Sequence, residues 1–394
     1  MEVKTLVRQE FLPFSLPDVG EAEIEEVVQT LKSGWITTGP KTKEFERRIA
    51  QYLGAKHAIA VNSCTGALHV ALAAIGINRD DEVITSPLTF CSTANVIIHL
   101  GGRPVFADVG EDYSIDPTQI EKHITPRTKA IIPVHYSGQP CHMDEIMACA
   151  QEHKLHVIED AAHAIGAWYG ERMVGTIGDV TAFSFYATKN MTTAEGGMIT
   201  TADDELAERM QLLSLHGISK DAWKRYSSQG SWYYEVLYAG YKYNMTDIQA
   251  ALGLHQLERL EHFIEVRDRY ARMYNEAFGD MPEIQIPLVN EGIRHAWHLY
   301  VIQLNLERLD IDRAQFIEAL RVANIGTSVH FIPVHLHPYY RQRFGYAQGD
   351  YPNAERIYDR IISLPLYPKM TEEAVQDVID AVKTVVATHR KRAF

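Results

Sequence analysis

From His57 onward the chain repeats one unit: a short continuous apolar run, a turn of small and polar residues, then apolar residues at helical spacing. HAIAV leads into a helix through Leu68, Leu72 and Ile75, DEVITSP into a helix through Val96 and Leu100, and RPVFADV ends at Asp108. Asp116 and Pro117 make a cap and first-turn pair for the helix reaching His123. KAIIPVH precedes a helix from Met143 to His153, and HVIED follows. None of these strands alternates apolar with polar residues, which is the pattern of strands covered by helices on both faces. Strand and helix in alternation build a mostly parallel α/β sheet. That sheet is expected over residues 35–250.

Open α/β sheets place ligands outside the C-terminal ends of their strands. His156-Val157-Ile158 delivers Glu159 and Asp160 to that edge, and a second strand-like run, Thr181 to Phe185, is followed by Lys189 among small and polar neighbours. A lysine and an anion so placed suit pyridoxal phosphate, which needs an amine to hold its aldehyde and an anion to keep its ring nitrogen protonated. In isolation the pattern is a weak signal, since an N-cap Asp and a solvated Lys are the commoner reading of the same residues. In VNSCTGALH, Ser63, Thr65 and Gly66 sit where a strand turns into a helix, so exposed amides and hydroxyls can hold a phosphate or make a plain cap. Neither GxGxxG nor GxxxxGK[ST] occurs, which disfavours dinucleotide and P-loop readings.

Ahead of the sheet, Ile24, Val27, Val28 and Leu31 recur at helical spacing between Asp18, as N-cap, and Gly34, as stop. WITTGPKTKEFE starts a second helix with Phe45, Ile49, Tyr52 and Leu53 facing inward. After GGMITT and a helix from Asp203 to Leu215 comes the polar, aromatic stretch SKDAWKRYSSQGSWYYEV, long enough for a lid or a contact surface. One very long helix, or two abutting ones, then starts at Asn244 or Thr246. The remainder holds a strand HLYVIQL, a helix from Asp312 to Ala323, a strand GTSVHF and two helices near Asn353 and Thr371, a smaller α/β lobe.

A net charge of −13 argues against a nucleic-acid partner, so an anionic substrate has to be caught by a local pocket. The four cysteines form no CxxC pair and read as free thiols. The N-terminus carries no apolar leader and no later run approaches a membrane span, so a cytoplasmic protein is expected. Histidines pair at His295 and His298 and cluster at His330, His335 and His337 without an HExxH or Cys/His framework, so no metal is expected.

The ordered series GWITTGP, NSCTGALHVAL, DEVITSPLTF, KAIIPVHYSGQP, IEDAAHAIGA, FSFYATKN, AEGGM and GYKYNMTDIQAA resembles the DegT/DnrJ/EryC1/StrS sugar aminotransferases, from about Phe11 to Tyr367. HAWHLY, GTSVHF and SLPLYPKM resemble the members that make UDP-4-amino-4-deoxy-L-arabinose. The resemblance implies a fold type I pyridoxal phosphate enzyme: an N-terminal segment 1–34 associated with the small lobe, a large cofactor domain 35–250, and a long helix with a small domain over 251–394. It implies that Lys189 attaches the cofactor and Asp160 pairs with its ring nitrogen. His163 stands where many members have Gln near the phenolic oxygen, Ser184, Thr65 and Gly66 bind the phosphate, and Phe90 stacks on the ring. Asn244 reaches the phosphate of the neighbouring subunit, so a homodimer with shared sites is implied. His330 falls in the sugar site, and the FIPVHLHPYY after it departs from the more polar segment of the arabinose enzymes. Lys220, Lys224 and Arg225 are candidates for a diphosphate. The implied reaction is amination of a nucleotide-linked 4-keto sugar, on UDP before dTDP, by glutamate, giving 2-oxoglutarate. The alternatives are a 3-keto sugar on dTDP or a sugar dehydratase, the latter disfavoured because it would replace Lys189 with His.

Overall fold

The computed structural model describes residues 8–219 and 233–391. Seven strands form the main sheet: His57–Val61 (β1), Glu82–Thr85 (β2), Arg103–Phe106 (β3), Thr128–Ile132 (β4), His156–Asp160 (β5), Val180–Ser184 (β6) and Gly197–Thr201 (β7). Their order is β1-β7-β6-β5-β4-β2-β3. From β6 to β3 all neighbours are parallel, and β7 runs antiparallel to both β1 and β6.

The continuous apolar runs are explained by what covers them. Ile158, Val180, Ala182 and Ile199 pack on the helix Cys64–Ala74 (α3), while Phe183, Met198 and Ala60 turn to the other face with Phe45, Ile49 and Leu53. The last three belong to α2 (Pro40–Leu53), which follows α1 (Glu21–Ser33). Each fully buried apolar side chain of this kind stabilises the fold by about 1.5–3 kcal/mol. The helices Ser92–His99 (α4), Pro117–Lys122 (α5), Met143–His153 (α6) and Asp204–Ser214 (α7) complete the alternation. Asp116 and Asp203 cap α5 and α7 through their side chains.

Helix α8 (Asp247–Phe278) is a single 32-residue rod. Thr246 caps it in a reciprocal pair with Gln249, so of the two candidate caps it is Thr246 that starts the helix. Its C-terminal half enters a second core built on an antiparallel sheet of Ile284–Gln285 (β8), Tyr300–Leu304 (β9) and Ile361–Leu364 (β10). Arg313–Val322 (α9) and Glu372–His389 (α12) pack on it, and Pro338–Phe344 (α10) and Pro352–Tyr358 (α11) lie between them in sequence. Leu12 bridges to Ile325 and is buried in this core.

Two expectations are corrected, the Asp18 cap and the strand at GTSVHF. Helix α1 begins after Gly20, not at Asp18: the Asp18 carbonyl accepts from Gln256 and its carboxylate pairs with Arg259. The face α1 turns to α8 is also not the apolar one, because Glu23 and Thr30 are buried while Ile24 and Leu31 are 48% and 53% exposed. The run GTSVHF is not a strand, since only Ser328 pairs with β10, at Ser363. Beyond it the backbone leaves the sheet and Val334 donates to the carbonyl of Pro87, which carries His330 and Phe331 over the end of the main sheet.

Candidate active site

Strands β5 and β6 and the start of α3 end at one cavity of about 480 Å³, within the range of small-molecule sites. Asp160 closes β5 and is 5% exposed. Its Oδ2 accepts from the Thr93 hydroxyl of α4 at 2.8 Å and its Oδ1 from the Ala162 amide at 3.2 Å. Burial raises the Asp160 pKa, and these two donors work against that rise. Glu159, one residue earlier, points to the opposite face, as neighbours in a strand must. It accepts from the Gly178 amide at 2.8 Å, the Thr181 hydroxyl at 2.6 Å and His135 Nε2 at 2.8 Å. The Cys141 amide donates to His135 Nδ1, so the ring turns Nε2 to Glu159 and the carboxylate is held by three donors.

Lys189 lies in the turn after β6, and its amine lines the cavity with Asp160. Burial strips the ammonium of water and brings its pKa down to about 8, against the opposing pull of Cys64 and Asp160. His163, His298 and His330 line the same cavity. Burial holds all three below the ordinary imidazole value, His330 at about 4, with Lys189 pushing the same way. At neutral pH they are uncharged. His330 Nδ1 lies 2.8 Å from the Ser363 hydroxyl of β10, which fixes the ring.

Of the residues expected at the site, Lys189, Asp160, His163, Ser184, Thr65, Phe90 and His330 line this one cavity. Gly66 does not, and its amide is taken by the Ser63 side chain at 3.0 Å, which makes Ser63 the helix cap. Strand β7 passes close beneath this turn: a Cβ on Gly197 would stand 2.5 Å from the Ser63 carbonyl carbon. Asn244 lies outside its own chain's cavity, where its amide donates to the Thr38 hydroxyl and its oxygen meets the Lys242 ammonium. Lys220, Lys224 and Arg225 fall outside the described residues. Thr93 was missed by sequence reasoning, and His298 was noted only as one of a histidine pair. Thr93 sits in CSTAN, whose small polar residues read as an ordinary helix start, and His298 lies far along the chain from IEDAAH.

The profile of the DegT/DnrJ/EryC1/StrS aminotransferase family matches residues 17–383. The chain belongs to this family. The Bacillus subtilis spore coat polysaccharide biosynthesis protein SpsC is 58% identical over 381 residues, covering 96% of this chain and 98% of its own. Putative sugar aminotransferase Spr1654 from Streptococcus pneumoniae, in its PMP form, matches with a TM-score of 0.90 at 37% identity, over 96% of this chain and 99% of that one. It is known in a PLP form as well. Helicobacter pylori PseC, an aminotransferase involved in the biosynthesis of pseudoaminic acid, matches with a TM-score of 0.89 at 32% identity, over 96% of this chain and 100% of its own. The enzyme is a sugar aminotransferase dependent on pyridoxal phosphate. Its residues fit that cofactor: an amine of lowered pKa and a buried carboxylate answered by a hydroxyl and an amide share a cavity of about 480 Å³. Among the described residues no helix is long and apolar enough to cross a membrane.

Proposed function

We propose that the sugar aminotransferase aminates a 4-keto sugar carried on a nucleoside diphosphate, UDP foremost, with glutamate as amino donor, and that it works in the cytoplasm as a homodimer with shared sites. The observation that carries the reading is the pairing of Lys189, half-buried and with its pKa at about 8, with buried Asp160 in one cavity. When bound, pyridoxal phosphate supplies the aldehyde that takes up the amino group and the ring that draws electrons from the carbon losing its proton. Asp160 stays a carboxylate to face the ring nitrogen, helped by the Thr93 hydroxyl. Lys189 Nζ is the attachment point and, once freed, takes a proton from the donor carbon and returns it. A lysine with pKa about 8 is partly neutral near neutrality, so it can do both.

Ser184 and Thr65 hold the phosphate at the start of α3, where helix amides favour an anion. Phe90 would cover the ring of the bound cofactor, and His163 would lie near its phenolic oxygen. His330 offers its free ring edge to a sugar hydroxyl, with Phe331 beside it as an apolar wall; both line the cavity. Lys220 and Arg225, with Lys224, supply charge for the diphosphate. Asn244 serves the phosphate of the second subunit. The apolar stripe that α1 leaves exposed, with Ile24 and Leu31, is the kind of face a second copy covers. In this reading residues 1–34 are an N-terminal segment associated with the small lobe, 35–250 the large cofactor domain, and 251–394 a long linking helix with a small C-terminal domain.

The test charges the enzyme with glutamate and then offers UDP- and dTDP-linked 4-keto sugars and their 3-keto counterparts, following return of the cofactor's absorption band. Return of the band with a UDP-linked 4-keto sugar is the expected result. Turnover of 3-keto sugars alone, or of no nucleotide sugar, refutes it.

A further inference from the structure

Arg267 of α8 is the largest fully buried side chain of the described residues. No ion pair reaches it among those residues, and burial brings its pKa down to about 9. A buried cation without a counter-charge is costly, so its hydrogen bonds have to be specific. Its Nη1 donates to three carbonyls: Trp297 at 3.3 Å, His298 at 3.2 Å and Leu366 at 2.6 Å. Arg267 therefore pins the segment that leads into β9 to the segment that follows β10.

That pinned segment in turn holds the neighbour of Lys189. Asn190 is buried, and its Nδ2 donates to the Ala296 carbonyl at 2.6 Å. A carbonyl only accepts, so the amide orientation is fixed and Asn190 Oδ1 must be the atom facing His298 Nδ1 at 3.2 Å. His298 thus carries its proton on Nδ1 and is neutral. It also lines the cavity, with its ring 4.3 Å from that of His163.

We propose that Arg267, His298 and Asn190 form a buried clamp that positions Lys189, which makes His298 and Asn190 positioning residues for transamination. The clamp ties the turn carrying the reactive amine to α8 and to one end of the smaller sheet, where the start of β9 lies beside the end of β10. Its consequence is where Nζ stands among the groups that face it: Asp160 from β5, Cys64 from α3, and His163, His298 and His330 from the segments beyond. If the turn slackens, the amine moves relative to Asp160 and its affinity for a proton changes. The inference rests on Lys189 being the reactive amine and not on which sugar is used.

The test compares His298→Phe, which loses the donor to Asn190, with His298→Gln, which keeps one, and with Asn190→Ala. Two quantities are measured on each folded variant: kcat against KM, and the pH dependence of the rate at which apoenzyme takes up pyridoxal phosphate on Lys189, trapped by borohydride and located by peptide mass. His298→Phe and Asn190→Ala are expected to lose about tenfold to a hundredfold in kcat with little change in KM, as misplacement of a reacting group does. Their uptake midpoint should shift, and His298→Gln should restore most of both. Labelling of Lys189 with an unchanged midpoint and kcat in the Phe and Ala variants overturns the clamp, as does equal impairment by Gln and Phe. Labelling elsewhere than Lys189 overturns the lysine assignment as well, so the two failures are told apart.

Discussion

Replacing Thr93 by Val tests how the site keeps a buried carboxylate charged. Thr93 Oγ1 has one proton and three oxygen neighbours: Asp160 Oδ2 at 2.8 Å, Thr89 Oγ1 at 2.8 Å and the Phe90 carbonyl at 3.1 Å. The charged acceptor wins that proton, so Thr89 donates to Thr93 and Thr93 donates to Asp160. Valine has nearly the same shape, and Thr93 is fully buried, so the substitution removes the hydroxyl donor while leaving little cavity. A hydrogen bond to a charged group contributes about 1.5–3 kcal/mol. Removing it should weaken pyridoxal phosphate binding by about tenfold to a hundredfold. Burial already raises the Asp160 pKa, and loss of the donor raises it further, so protonation competes with the cofactor over a wider acidic range. The defect should therefore be larger at about pH 6 than at about pH 8. Titration of apoenzyme with the cofactor, followed by absorbance, measures it, and Thr93→Ser should recover most of the affinity. Affinity within about twofold of the parent at both pH values would refute the assigned role of this hydroxyl.

Lys189→Ala should abolish transamination while the protein stays folded and holds the cofactor without a covalent bond; a surviving absorption band of the attached cofactor would sink the assignment. The rate at which apoenzyme takes up pyridoxal phosphate should rise with pH through a midpoint near 8, since the lysine attacks as a neutral amine and His330, at about 4, does not titrate there. A profile flat from about pH 6 to 9 would contradict this. Leu31→Asp places a charge in the exposed stripe of α1 and should convert a dimer to monomers by light scattering. Inactive Lys189→Ala and Asn244→Ala subunits should recover part of the activity when mixed, and no recovery would count against shared sites.

What the sequence determined by itself is what depends on short-range pattern. Unbroken apolar runs declared strands buried on both faces, and the side chains of Asp116, Asp203, Thr246 and Thr371 start helices where a cap residue precedes helical spacing. The parallel order delivered Asp160 and Ser184 to one sheet edge, so the core of the site was legible from strand ends. Tertiary structure decided what depends on distant partners. Ile24 and Leu31 look like core residues by periodicity, yet α1 turns Glu23 inward because Gln256 and Arg259, more than two hundred residues away, supply its hydrogen bonds. GTSVHF has the composition of a strand, but only Ser328 finds a pairing partner there, in Ser363. Gly66 has the right neighbours for a phosphate turn, yet its amide is given to Ser63. Thr93 and His298 acquire meaning only where folding sets them against Asp160 and Asn190. Local pattern fixes which backbone each segment adopts, whereas a buried polar group is defined by the partner that satisfies it, and that partner can come from anywhere in the chain.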